Sequence, residues 1–551
     1  CTKEFYMNQC ILQKGEFLME STAKKTGIAA KCIKFIERAG NKLPHPFILF
    51  GIFILFTLLI SFVLSKLGFE ATYLDEGKKI GDASKMVTVK VINLLTFDNM
   101  RKLIVNLPDT YVRFPSLKIV LIVMMAIGVV EETGFFNVLM RKYLLKAPKS
   151  LITAVLVFVC VNSNIMSGAG VILAFTIGGV LYASIGRNPK LGIILGFAAC
   201  SGGYTSNILI SGTDALLAGI TEQAASSVGV NITITPLCNY YFMAVSTIFL
   251  TLTLTWVTEK FMVKITGGEN FGLGDTEALD QYKLTADEEK GLKYSFYGFL
   301  VFAVIMAALT FPANAFFKND KGAFLPNSPL LSSLVPIIFF LFVSVGIGFG
   351  IGVKKITSSR DVPKYLQKGV AKAVPLLVTI LSSSLFIELL NRSNIFKIMA
   401  IKGSFILKNA NVGPLPLLIL VATITAFINP FMVSGSTKWV LLSPMIVPML
   451  AFLNISPAFA QLAFRIGDSA TNIISPLRSD IPVILGLMAQ YDEERRKRGI
   501  TVSKEEEAGF GTIFSLTLPY SIVIFVTLVG LMIIWYFLGL PIGPGEYLFI
   551  K

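Results

Sequence analysis

Residues 46–64, "PFILFGIFILFTLLISFVL", run through nineteen positions without one charged side chain. A helix rises 1.5 Å per residue, so a run of this length crosses the roughly 30 Å hydrocarbon core of a bilayer. Inside lipid every backbone N–H and C=O must be paired within the protein, which admits only helices or closed barrels. Long apolar runs recur down the chain as far as "IVIFVTLVGLMIIWYFLG" (522–539), and we count ten or eleven of them. Only 15% of residues are charged, against about a quarter in soluble domains. The chain therefore reads as an all-α polytopic membrane protein.

The formal net charge of +15 does not point to nucleic acid, because the basic residues gather at the ends of apolar runs, as topology signals do. Residues 1–45 carry eight Lys or Arg and read as a basic cytoplasmic leader. "RKYLLKAPK" (141–149) and "KKITSSRDVPK" (354–364) belong to the same side, and 46–551 reads as a single integral membrane domain. Glu131 and Glu132, at a span's end, read as solvated acids. Cys160, Cys200 and Cys238 lie in or beside spans with no CxxC pattern, so no metal site and no disulfide framework is expected. A membrane enzyme is disfavoured: there is no Walker motif, no ligand cluster and no Ser/His pairing in a span. No catalytic residue and no cofactor is assigned.

The apolar pattern breaks twice. "NSNIMSGAG" (162–170) interrupts "LITAVLVFVCV" and "VILAFTIGGVLYASIG", and "NPFMVSGSTKW" (429–439) is its partner. Asn162 precedes Ser167 and Gly168 as Asn429 precedes Ser434 and Gly435, while "GGYTSNILI" (202–210) matches "GDSATNIIS" (467–475) at nearly the same separation. Two halves with polar interruptions at corresponding positions point to a transporter built from an internal inverted repeat. The first repeat is placed at about 116–264, with a re-entrant hairpin at about 151–187. The second is placed at about 365–538, with a hairpin at about 414–453. Irregular backbone at membrane depth is tolerated where it lines a cavity. Gly168 and Gly435 would permit the tight turns, and half-helix starts offer N–H groups to an anion. Asn162, Ser167, Asn207, Asn429, Ser436 and Asn472 are candidate substrate-lining residues.

Three charges lie in the broken regions: Asp214, Arg465 and Asp468. Arg465, Asp468 and Asn472 fall on one face if a helix continues that far. An Arg465–Asp468 pair is expected on this spacing, with Arg465 meeting a substrate carboxylate and Asp214 and Asp468 carrying a coupling proton. Asp214 has no basic neighbour in its own segment. Trp439 could stack on an aromatic ligand or pack in the core, and Pro457 and Pro476 punctuate helices as hinge or structural residues.

At these residues the sequence resembles the p-aminobenzoyl-glutamate transporter (AbgT) family. "TDALLAGITEQAA", "STKWVLLSPMIVPML", "FRIGDSATNIISPL", "LPYSIVIF" and the closing "GLPIGPG" carry the likeness, from about residue 116 to the C-terminus. The resemblance implies a homodimer in the inner membrane, each subunit with nine spans and two opposed re-entrant hairpins. It also implies proton-driven movement of p-aminobenzoyl-glutamate or related folate-pathway compounds, including export of sulfonamide antimetabolites by antiport. The family's important positions fall on Asp214, Asn429, Ser436, Trp439, Pro457, Arg465, Asp468 and Pro476. "LSSSLFIELLNRSN" (381–394) and "PLRSD" (476–480) depart from the family's pattern. A sodium-coupled carboxylate carrier of the wider two-hairpin superfamily is the alternative, with Ser/Thr–Asn groups at the hairpins holding sodium.

Overall fold

In the computed structural model, which describes residues 44–75, 85–165, 168–230, 232–267, 277–312, 315–320, 322–324, 328–410, 412–500, 502 and 507–550, the chain is built almost wholly from helices. The leader up to residue 43 and Ser167 lie outside the described residues. Helix α1 (Pro46–Lys66) starts with proline in its first turn, where the missing N–H has no helical partner to lose, and His45 caps it by accepting from the Phe47 N–H. Further elements follow α1. Strand β1 (Glu70–Asp75) pairs antiparallel with β2 (Lys85–Lys90), Glu70 opposite Lys90, and α2 (Phe97–Val112) follows, capped by Thr96.

The next elements are α3 (Pro115–Thr133), α4 (Phe135–Leu145), α5 (Ile152–Asn162), α6 (Gly168–Ser184), α7 (Pro189–Gly202), α8 (Gly212–Ser226) and α9 (Tyr240–Val257), the last continuing through a π-turn to Ile265. Two helices, α10 (Ala286–Thr310) and α11 (Leu334–Gly352), pack on each other, and α11 packs on α3. The order then recurs: α12 (Asp361–Ser393), α13 (Ile395–Asn409), α14 (Pro414–Ile428), α15 (Gly435–Ala451), α16 (Pro457–Thr471), α17 (Ile481–Lys497) and α18 (Phe510–Leu538). The correspondence reaches the joints. A left-handed residue separates α3 from α4 (Gly134, φ +92°) and α12 from α13 (Asn394, φ +60°). A short 3-10 turn follows both α7 and α16. The apolar edge of the β-hairpin, Ala71 and Val89, seats on Ile395, Ile398 and Ile401 of α13.

Among the described residues eight helical stretches are long and apolar enough to cross a membrane, or nine when a pair bent by 116° at residues 145–149 counts as one. Side chains such as Leu55 of α1, Val304 of α10 and Val526 of α18 are more than 60% exposed on the outer surface. So much outward apolar area suits hydrocarbon rather than water. The inner helices differ. Every residue of α7, and every residue from Pro457 to Ala470 of α16, is buried. α16 packs against α14, α15 and α18, with α14 drawn in closest because Gly467 has no side chain. A Cβ there would stand 2.1 Å from the Ala422 carbonyl oxygen.

Glu131 and Glu132 are not simply solvated. Lys372 of α12 lies 2.8 Å from Glu131, and Lys368 lies 2.6 Å from Glu132. The long side chains of α12 cross to the end of α3, against which that helix packs.

Candidate functional site

The site is assembled where α16 passes the start of α8 and the break between α14 and α15. Asp214 is the third residue of α8 and closes a reciprocal cap: its Oδ2 accepts from the Ser211 N–H at 2.7 Å and the Ser211 hydroxyl at 2.8 Å. A carboxylate in the first helical turn is favoured by the unpaired N–H groups and the dipole there. Its Oδ1 lies 2.7 Å from Nη2 of Arg465, and neither side chain is more than 1% exposed. The same Nη2 donates to the Tyr204 carbonyl at 2.9 Å, and the guanidinium stands over the Tyr204 ring.

This corrects the expected Arg465–Asp468 pair and supplies the basic partner that Asp214 lacks in its own segment. Arg465 reaches out of its helix to a carboxylate already fixed by a cap, while Asp468, one turn on, is held by Lys438 of α15. The Lys438 ammonium donates to both Asp468 Oδ1 and Asn429 Oδ1 and is fully buried. Asn429 completes the cluster by donating to the Asp468 carbonyl at 2.6 Å and to Thr471 Oγ1 at 3.1 Å. The Asn472 amide lies 3.4 Å from Asp468 Oδ2. Lys438 lies within the break "SGSTKW" and has no role in the sequence reading above. The available signal was a lysine inside an apolar break, a charge whose cost in a membrane demands a partner.

Gly435 makes this convergence possible. A Cβ on it would sit 2.7 Å from the Tyr204 hydroxyl and 2.9 Å from Asp468 Oδ2. Ser434 caps α15 by accepting from the Thr437 N–H, and Ser436 faces a cavity of about 260 Å³ with Phe114, Leu216 and Ile220. A second cavity, about 180 Å³, lies across Gly435 and is lined by Asn164, Cys200, Ser201, Asp468, Asn472 and Arg478.

The other predicted residues brace rather than line. Asn162 donates to the Phe158 carbonyl and accepts from the Ile208 N–H at 2.9 Å, and the Asn207 amide nitrogen donates to the Val161 carbonyl. Ser475 repeats that cross-tie in the second half through the Pro430 carbonyl at 3.0 Å. Gly168 opens α6. Trp439 is a core residue: it is fully buried, stacks on Phe464 at 4.6 Å and donates to Thr221 Oγ1. Stacking on a ligand is thereby corrected, since Phe464 of α16 already takes the ring. Pro457 occupies the first turn of α16 behind the cap Ser456, and Pro476 lies in the turn before α17. Ser456 is tied to the C-terminal segment: its N–H donates to the Leu548 carbonyl at 2.7 Å, and its hydroxyl donates to Glu546. Burial pushes the Glu546 carboxyl up to about 7, against that hydrogen bond.

Repeated helical halves, each broken mid-course, packed around buried ion pairs form the architecture of a membrane transporter. Over residues 31–550 the sequence matches the "AbgT putative transporter family", and the chain belongs to that family. The p-aminobenzoyl-glutamate transport protein of Escherichia coli (strain K12) is 29% identical over 527 residues, covering 96% of this chain and 99% of that protein. The crystal structure of the Alcanivorax borkumensis YdaH transporter superposes with a TM-score of 0.80 at 29% identity, over 91% of this chain and all of that one. Neisseria gonorrhoeae MtrF, described as illuminating a class of antimetabolite efflux pumps, superposes with a TM-score of 0.83 at 32% identity, over 93% and 99%.

Proposed function

We propose that this chain is a secondary transporter of p-aminobenzoyl-glutamate or related folate-pathway anions, and of sulfonamide antimetabolites, driven by protons. The two broken helix pairs are re-entrant hairpins of opposed orientation, within repeats at about 116–264 and 365–538. The protein works as a homodimer in the inner membrane with its N-terminus in the cytoplasm. The names of its relatives support the substrate class.

One observation favours protons over sodium. At the second break, where an asparagine and an aspartate would hold a coupling cation, the place is taken by the protein's own Lys438 ammonium. Asp214 and Asp468 are then the carriers. Protonating Asp214 removes the charge that holds Arg465, freeing that guanidinium for a substrate carboxylate, and a bound carboxylate in turn weakens the hold on the proton. Asn429, Asn472 and Ser436 border the path, and Pro457 and Pro476 mark its hinges.

Purified protein in sealed vesicles, given labelled p-aminobenzoyl-glutamate under a proton gradient or a sodium gradient, tests this. Transport under the proton gradient that a protonophore abolishes is the expected result. Sodium-driven transport indifferent to a protonophore would replace it with the sodium-coupled reading.

A further inference from the structure

The cavity of about 180 Å³ beside Gly435 holds three polar atoms that make no hydrogen bond among the described residues. They are the hydroxyl of Ser201 on α7, Oδ1 of Asn472 after α16, and Nε of Arg478 in the turn before α17. Ser201 and Asn472 are each 6% exposed. A buried polar atom left unpaired costs free energy comparable to a lost hydrogen bond, so three of them around one space describe a ligand by their chemistry. Arg478 offers a cationic donor. One edge of its guanidinium is held by Asp480 and its Cζ lies 5.3 Å from the Phe197 ring centroid, so the group is aimed rather than loose. The neighbouring Asp468 is neutralised by Lys438. Ser201 adds a second donor, and Asn472 Oδ1 can only accept.

We infer that this cavity binds the amino-acid end of an N-acyl α-amino acid: the carboxylate on Arg478 Nε and the Ser201 hydroxyl, the adjacent amide N–H on Asn472 Oδ1. A carboxylate alone leaves the Asn472 acceptor unused, and a neutral sulfonamide offers Arg478 Nε only uncharged sulfonyl oxygens, without the charge that makes the hydrogen bond strong. The volume equals about six waters at roughly 30 Å³ each, enough for a carboxylate, its α-carbon and an amide but not for a whole aryl-amide ligand. The aryl group therefore extends beyond the cavity. This assignment rests on the transport reading for its substrates, but it is a statement about binding and is tested as one. It makes Arg478 a residue that selects among substrates.

The test is equilibrium binding to the purified protein of three probes: p-aminobenzoyl-glutamate, N-benzoylglycine and sulfanilamide. In Arg478→Met the first two should weaken roughly 10- to 100-fold, the scale of a lost charge-assisted hydrogen bond. Sulfanilamide binding and the elution volume on gel filtration should not change, which shows that the variant is folded. Arg478→Lys, with charge but no planar fork, should recover only part, and Ser201→Ala should weaken both acyl amino acids less than Arg478→Met does. Unchanged N-benzoylglycine binding in Arg478→Met, or equal loss of all three probes, would overturn the assignment. Arg478-dependent binding without gradient-driven transport would keep the site and remove the transport reading instead.

Discussion

Lys438 and Asp468 form a pair with side chains 0% and 1% exposed, joined to Asn429 and Asn472. Removing one charge from such a pair leaves the other buried without compensation, at a cost of about 3–5 kcal/mol. Lys438→Met strands the Asp468 carboxylate, and Asp468→Asn strands the ammonium beside two amides. The double variant Lys438→Met/Asp468→Asn strands neither, and neutral replacements of a buried pair are often tolerated. The three variants close a thermodynamic cycle in which the double should be less destabilised than the sum of the singles by about 2 kcal/mol or more. Reversible unfolding in mixed micelles, titrated with a denaturing detergent, reads all four proteins. Additivity within about 0.5 kcal/mol would mean that the two charges do not depend on each other, and would refute the built-in cation.

Three further outcomes follow from the same geometry. Arg465→Ala should abolish binding of p-aminobenzoyl-glutamate in a direct binding assay, while Arg465→Lys should restore it only partly, because an ammonium lacks the bidentate fork. Gly435→Ala should destabilise by about 1–3 kcal/mol, the scale of overpacking, read as a lowered unfolding temperature, since its Cβ would stand 2.7 Å from the Tyr204 hydroxyl. Glu546 titrates at about 7 when folded and near the ordinary carboxylate value when unfolded, so the folded state binds the proton more tightly. Its contribution is full at low pH and is lost as pH rises towards 7, by up to about 1.4 kcal/mol per pH unit. Glu546→Gln should flatten the fall in stability measured across that range.

The spans were legible because hydrocarbon imposes a length and a composition that a single window of sequence reveals, as at Pro46–Lys66. The repeat was legible for a similar reason: Asn162 and Asn429, Asn207 and Asn472 sit at matching separations, and the two helix orders fall into register around them. The partners of the charges were not legible. Spacing along α16 places Arg465 next to Asp468, but which acid Arg465 meets depends on α8 arriving with its cap formed, and on Lys438 arriving from α15. Those contacts join residues some 250 and 30 positions apart, and local periodicity carries no information about them. Trp439 was ambiguous for the same reason, since an indole reads alike whether Phe464 or a ligand covers it. The strand pair and helix between α1 and α3 escaped because polar sequence lacks the strong signal of the spans.

The tie between Ser456 and the C-terminal segment has a mechanical consequence. The residue that begins α16 is stitched by its backbone to Leu548, and Ile550 returns a bond to Asn454 at 3.0 Å, so the chain's final turn is hemmed to the entrance of its most deeply enclosed helix. The Ile542 carbonyl anchors that hem to the start of α9 by accepting from the Tyr241 N–H. α16 therefore cannot slide along its own axis, or screw about it, without tearing this seam. Any movement of α16 along that axis would have to carry the C-terminal segment and the start of α9 with it, or break these three backbone bonds.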